Sequence, residues 1–286
     1  MMLPFNFRYS KPTTAQEAVG IFENVKLGGA VPFYFSGGTE LITLGRIGLD
    51  YADAVIDLKG IPGYEGAFSH DKYLVIGGGT TLTSISEHPL FPLLSKTVSE
   101  IADRTARNKI TLAGNICGKI FYREAVLPLL LTDCLVGVFG RDGLSYKPIL
   151  TVFNQNILLK DGDFVFNILI EKDFATLPYF TQKRRKQWDV GYPLITLAAL
   201  KKDGEIRMAI SGLCPFPFRS SELESVLNEQ GPSVEERAER AMGALPSPIL
   251  DDVEGSSEFR KYVLKNMMAD AIRELEGKQD GSESQS

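Results

Sequence analysis

Apolar residues recur at helical spacing soon after the N-terminus. In YSKPTTAQEAVGIFEN, Ala18, Ile21 and Phe22 fall on one face, and Thr14 with Glu17 fits a capping box, predicting a first helix. Val31–Phe35 and Ala54–Leu58 are short apolar runs bounded by glycine and polar residues, the pattern of strands. Residues 1 to about 59 therefore read as a small α/β unit. A second unit follows over about 60–175. Its strands are Tyr73–Gly79, CLVGVFG, SYKPI and Asp163–Ile170. Its helices are TLTSISEHPLF, with Ser84 and Glu87 as a capping box, PLLSKTVSEIADRTARN, and Glu124–Leu131.

Past about residue 176 the texture changes. LITLAALKKDGEIRMAISGL holds two apolar runs around Lys-Lys-Asp-Gly, a hairpin signal. Helical patterns follow near 220–228, 233–243 and 256–276, the last with Phe259, Val263, Met267, Ile272 and Leu275 on one side. The expected organisation is a domain over 1–175 with two subdomains, an α+β domain over 176–277 (antiparallel sheet plus helices), and a disordered polar tail over 278–286. A chain of 286 residues suits about two domains.

Composition narrows the classes of partner. A net charge of −5 argues against nucleic acid or anionic lipid, and no apolar run approaches the ~20 residues that span a bilayer. MMLPFNFRYSKP lacks the basic and apolar regions of a signal peptide, so a cytoplasmic location is expected. The three cysteines, Cys117, Cys134 and Cys214, are too dispersed for a disulfide framework or a CxxC site, and His70 and His88 read as surface residues. No metal site is expected.

Glycine-bearing turns follow or enter strands at Ser36-Gly37-Gly38-Thr39, Gly77-Gly78-Gly79-Thr80-Thr81 and Ala113-Gly114-Asn115. Glycine permits positive φ and close approach to peptide N–H groups, and neighbouring hydroxyls add short donors. Such turns suit a pyrophosphate held by main-chain amides, although each alone is also an ordinary structural turn. Neither GxxxxGK[ST] nor GxGxxG is present.

SGGTEL, IGGGTTL, RNKITLAGNICG and YREAVLPLLL, in this order, resemble the FAD-binding medium subunit of the molybdenum hydroxylases, xanthine dehydrogenase and carbon monoxide dehydrogenase among them. Ser36 and Glu40 vary the family's Ala-Gly-Gly-Thr-Asp-Leu, and Leu112 and Ala113 vary its Thr-Ile-Gly-Gly-Asn. The resemblance implies an α+β fold: a two-subdomain α/β FAD-binding domain of the vanillyl-alcohol-oxidase/molybdenum-hydroxylase type, then an α+β domain. It implies that Ser36, Gly37, Gly38, Thr39, Glu40 and Leu41, with Leu112, Gly114 and Asn115, cradle the FAD pyrophosphate. Gly78, Thr80, Arg107, Asn108 and Thr111 lie in the matching motifs, and Glu124 stands where an acid contacts the flavin's sugar or ribityl chain. A lysine that faces the isoalloxazine in the family is replaced by Thr181, with Gln182 and Lys183 beside it.

The implied activity is electron transfer in a xanthine dehydrogenase-like complex. A molybdopterin-binding large subunit oxidises the substrate, an iron–sulfur small subunit relays electrons, and FAD passes them to NAD⁺ or oxygen. The open alternatives are a stand-alone FAD oxidoreductase and a flavin-free scaffold. Among the remaining residues, Cys117 reads as a small buried hydrophobe rather than a redox thiol, and Arg104 and Arg107 suit either phosphates or an exposed helix end. Lys183–Lys186 reads as a solvated or partner-facing surface, and Trp188 with Asp189 as packing and capping.

Overall fold

The computed structural model describes residues 5–186 and 191–277; Trp188, Asp189 and the 278–286 tail lie outside them. In chain order the first elements are β1 (Arg8–Ser10), α1 (Ala15–Leu27), β2 (Pro32–Phe35), α2 (Thr39–Arg46), β3 (Ala54–Asp57), β4 (Ala67–His70) and β5 (Tyr73–Gly77). Next come α3 (Leu82–Glu87), α4 (Pro92–Ser99), α5 (Arg104–Arg107), α6 (Leu112–Cys117) and α7 (Val126–Leu131). Then follow β6 (Leu135–Gly140), β7 (Gly143–Pro148), α8 (Ile149–Val152), β8 (Phe153–Asn154), β9 (Asn156–Ile157) and β10 (Phe164–Glu171). The last are β11 (Tyr179–Arg184), β12 (Ile195–Lys202), β13 (Glu205–Ser211), β14 (Phe218–Arg219), α9 (Ser221–Leu227), α10 (Val234–Ala241) and α11 (Ser257–Gly277). The chain forms two compact units: residues 1–90, 103–120 and 133–170, and residues 91–102, 121–132 and 171–286.

The first unit holds a parallel sheet, order β1-β3-β2, and a five-stranded sheet, order β4-β5-β10-β6-β7. Helix α1 buries Ala15, Ala18, Val19 and Phe22 against Ile56, Leu58 and Tyr64. On the other side of β3, Val55 packs with Leu41 of α2 and Ala52. The sheet thus fixes where α2 begins. Thr14 caps α1 by accepting from Glu17 N, but the Glu17 carboxylate returns to Thr13 N at 2.8 Å, so the expected box closes one residue early. In α3 the cap is Thr81, accepting from Ser84 N, and not Ser84 as expected.

In the second unit, β11-β12-β13-β14 form an antiparallel sheet. The hairpin at Lys201–Gly204 is as expected: Lys202 faces Glu205, and Asp203 (φ 54°) and Gly204 (φ 82°) supply the positive angles of a tight primed turn. Helix α11 buries Leu264, Met267, Met268, Ile272 and Leu275 in the core with β12 and β13. Phe259, expected on that same face, is instead exposed. Helix α10 carries a complete capping box between Ser233 and Glu236. The long helix expected after Pro92 is split: α4 ends at Ser99, Ala102 adopts φ 50°, and α5 is a single turn capped by Asp103. Helices α4 and α7 belong to this unit, where Arg207 and Arg219 donate to the Leu131 and Leu130 carbonyls, each at 2.9 Å, and satisfy the end of α7.

Candidate flavin site

The site in the first unit is built from the turn after β2. Gly38 sits at φ 70° as the N-cap of α2 and makes no side-chain capping bond. The N–H groups of Thr39, Glu40 and Leu41, in the first turn, therefore have no cap and point out of the helix N-terminus, where a phosphate is favoured. Glycine is required at 38: a Cβ there would lie 2.0 Å from the Phe35 ring. Gly37 is required for a different reason, because its Cβ would meet the Lys109 carbonyl at 2.0 Å. The Lys59 ammonium donates to Ser36 O at 2.9 Å and to Asp57 Oδ1 at 2.7 Å and lies over the Phe35 ring, placing a cation one peptide from the turn. Burial pushes the Asp57 carboxyl up, but the bonds from Lys59 and Tyr9 outweigh it and hold the group below the usual carboxylate range.

The three glycine motifs do converge, in a way their spacing did not reveal. TLAGNICG is a short helix, α6, capped by Thr111, whose hydroxyl accepts from Gly114 N at 3.2 Å. Its other early amides are also engaged: Leu112 N with Thr80 O at 3.0 Å, Ala113 N with Gly78 O at 2.9 Å, and Asn115 N with Thr111 O at 2.9 Å. The space at the triple glycine is filled by protein. A Cβ at Gly77 would meet the Tyr64 carbonyl at 2.4 Å, at Gly78 the Val165 carbonyl at 2.6 Å, and at Gly79 the Tyr64 ring at 2.6 Å. Thr80 donates to Gly66 O at 2.9 Å. Of the three turns, α2 alone presents an uncapped helix N-terminus. Arg107 ends α5 and Asn108 is its C-cap. Arg104 is exposed and paired with Glu87, and His70 and His88 are exposed. Cys117 is partly exposed rather than buried.

Glu40 has a partner that sequence reasoning missed. Its carboxylate accepts from Lys119 N at 2.7 Å and Ile120 N at 2.6 Å, so it anchors the loop after α6. A near-sequence signal existed only in Gly118, whose Cβ would crowd a Glu40 oxygen at 2.9 Å.

In the second unit Glu124 and Lys183 find each other. Lys183 Nζ lies 2.8 Å from Glu124 Oε1 and donates to Glu100 O at 2.9 Å, with side-chain exposures of 2% for Lys183 and 6% for Glu124. Thr196 donates to Glu124 Oε1 at 2.6 Å. Burial lowers the Lys183 pKa, and the Glu124 charge only partly offsets this. Lys183 is therefore not on a solvated face; Arg184 and Lys186 are. Alternation along β11 explains the split, since Thr181 and Lys183 share one face and Thr181 meets Thr97 of α4 at 3.3 Å. In the same unit, Tyr122 stacks on Tyr192 with centroids 4.9 Å apart, and burial pushes the Tyr122 phenol up to about 12.

Among the described residues no group of His, Cys, Asp and Glu could hold a metal ion, and no helix is long and apolar enough to cross a membrane. The residues around α2 do fit a flavin dinucleotide: an uncapped helix N-terminus, a glycine whose side-chain space is denied by an aromatic ring, and a nearby cation.

Comparison with known proteins agrees. The chain is 23% identical over 295 residues to the nicotinate dehydrogenase FAD-subunit of Eubacterium barkeri, covering 95% of this chain and 98% of that one. It is 28% identical over 119 residues, 40% of each chain, to the carbon monoxide dehydrogenase medium chain of Hydrogenophaga pseudoflava. The fold matches a carbon monoxide dehydrogenase structure from Hydrogenophaga pseudoflava with a TM-score of 0.85 at 22% identity, covering 96% of this chain and 99% of that one. It matches quinoline 2-oxidoreductase from Pseudomonas putida 86 with a TM-score of 0.83 at 19% identity, covering 97% and 99%. Residues 5–170, more than half of the chain, match the family described as the FAD binding domain in molybdopterin dehydrogenase. The chain belongs to that family, and it is an FAD-dependent oxidoreductase subunit of the molybdenum hydroxylases.

Proposed function

We propose that the chain is the flavin subunit of a multi-chain molybdenum hydroxylase acting on an N-heteroaromatic substrate, with NAD⁺ as the electron acceptor. The observation that carries this reading is the end-to-end likeness to a nicotinate dehydrogenase FAD-subunit, which spans 95% of this chain. The fold likeness to quinoline 2-oxidoreductase is in keeping with it. Xanthine, suggested by the motif resemblance, is one member of the same chemical class, and neither relative's name singles it out. The iron–sulfur clusters are assigned to a partner chain, because this sequence has only three dispersed cysteines where a cluster takes four thiolates. Molybdopterin is assigned to another, in keeping with the likeness to an FAD-subunit and a medium chain.

Bound FAD supplies a two-electron redox centre, while the protein supplies binding, orientation and electrostatics. In this reading the first-turn amides of α2 and the Gly37–Gly38 backbone receive the pyrophosphate, and the Lys59 ammonium, 2.9 Å from Ser36 O, adds positive potential at the turn. Glu124 and Lys183 act on the shape of their unit by holding β11, β12 and the end of α4 together.

The test is purification of the chain from its native host through a tag, with flavin, iron and molybdenum analysis. The complex is then assayed with nicotinate, xanthine, quinoline and carbon monoxide, using NAD⁺ or oxygen as acceptor. Co-purifying chains with molybdenum and iron, and turnover of one N-heteroaromatic with NAD⁺, are expected. A chain that purifies alone, or a complex that oxidises carbon monoxide only, contradicts the proposal.

A further inference from the structure

In the second unit, the turn at 252–255 is held far more firmly than its exposed tip requires. Asp252 and Gly255 exchange backbone bonds at 3.3 and 3.1 Å, and Asp252 Oδ1 accepts from Glu254 N at 2.9 Å. The fully buried Arg260 pairs with the Asp252 carboxylate and donates to Gly255 O at 3.2 Å. It also ties the turn to the Leu194 and Gly212 carbonyls, each at 2.6 Å. Lys186 donates to Val253 O, and a Cβ at Gly255 would lie 2.6 Å from the Leu194 side chain. Yet Val253, at the tip, is 81% exposed. The Phe259 ring reaches the turn at Gly255 and is 49% exposed, and Tyr262, one helical turn further along α11, is 61% exposed. Aromatic and aliphatic exposure of this kind, rimmed by polar residues, marks interaction surfaces.

We infer that Val253, Phe259 and Tyr262 form a docking face for a partner chain of the complex, one that offers an apolar socket rimmed by Lys and Arg. This rests on the reading of the chain as one subunit of several. The rim sets the partner's charge. Asp251 and Glu254 flank Val253, and Glu258 precedes Phe259. The Arg260 charge is neutralised by Asp252, and Lys261, two residues past Phe259, lies about 200° round the helix from it. Lys186 is then left facing three acids at the turn. A second copy docked face to face would set those acids against their own copies, which repel. The tail after Gly277, KQDGSESQS, has no apolar side chain with which to cover the face. The firm hold on the turn suits docking, because a knob fixed beforehand loses little conformational freedom on binding.

The test uses the complex purified from the native host through a tag on this chain. Val253→Asp and Tyr262→Ala each replace an exposed side chain, so FAD content and thermal unfolding should match the parent. Each is expected to weaken partner association at least about 30-fold, the size of an interface hot spot, read by mass photometry on dilution. Association of the parent should weaken as salt rises. With Glu254→Lys and Glu258→Lys together it should start weaker and strengthen with salt, because screening then relieves repulsion. Carbodiimide should join Glu254 or Glu258 to a lysine of a partner chain, identified by peptide mass spectrometry. Partner affinity within about 3-fold of the parent in both apolar variants, or cross-links that join this face to a second copy, overturns the inference. So does a change in the fluorescence of Trp188, the sole tryptophan, on Val253→Asp in the isolated chain, which would make a segment of this chain the occupant. If the unaltered chain purifies alone, the multi-chain reading fails and the docking face falls with it.

Discussion

Lys183→Met is the substitution whose outcome the structure specifies most sharply. It removes a buried ammonium that lies 2.8 Å from Glu124 Oε1 and donates to the Glu100 carbonyl at 2.9 Å. What remains is a carboxylate at 6% exposure with Thr196 as its surviving partner. Removing one partner of a buried ion pair costs about 3–5 kcal/mol, because the other charge stays desolvated. Replacing both members by apolar groups is often near neutral, so Glu124→Leu in the Lys183→Met background should regain at least about half of the loss. Urea unfolding followed by far-UV circular dichroism reads this. With a slope of about 3 kcal/mol/M, the single variant's midpoint falls by about 1–1.7 M in the transition that contains the second unit. A single variant within about 0.5 kcal/mol of the parent, or a double variant less stable than the single, refutes the view that these two residues are spent on each other.

Other expectations follow from the same geometry. Gly38→Ala forces a Cβ into the Phe35 ring at φ 70°, so FAD affinity should fall at least 10-fold, checked by equilibrium titration of the purified variant. Arg260 is fully buried and donates to the Leu194 and Gly212 carbonyls, both at 2.6 Å; Arg260→Met orphans both and should cost more than about 3 kcal/mol in thermal unfolding. In native protein at pH 8, a thiol reagent should label Cys117 fast, while Cys134 and Cys214 react only on unfolding. Both of the latter are buried, and burial pushes the Cys214 thiol up to about 11. Tyr122, raised by burial to about 12, favours its protonated form when folded. Its stabilisation is therefore complete below the ordinary phenol value of about 10 and is lost as pH rises through 12. Tyr122→Phe should remove one late-titrating phenol from the absorbance curve and flatten the alkaline loss of stability.

The features legible in the sequence were those written in local pattern. Helix α1, the Asp203-Gly204 hairpin and, apart from Phe259, the buried stripe of α11 depend on periodicity and turn chemistry within one segment, and they form where expected. Local pattern fails where a distant residue decides. QKRRK looked like a solvated charge run because its decisive partner, Glu124, is 59 residues away in sequence. TLAGNICG looked like an open turn because the Thr80 and Gly78 carbonyls that occupy its amides come from another motif. The triple glycine suggested room for a ligand, yet that room is taken by Tyr64 and Val165. Glycine signals close approach without saying of what. The cap of α3 is Thr81 and not Ser84, a choice the sequence leaves open because several hydroxyls in TTLTS satisfy the same rule.

The proposed seat for the flavin's phosphates is the first turn of α2. Parallel equilibrium titrations of the flavin-stripped chain with FAD and with riboflavin, which lacks phosphate, decide whether they bind there. Binding of FAD at one per chain, with riboflavin weaker by about 100-fold or more, is predicted from the loss of two or more charge-assisted hydrogen bonds. Equal affinity for the two ligands, or no uptake of FAD, would contradict it.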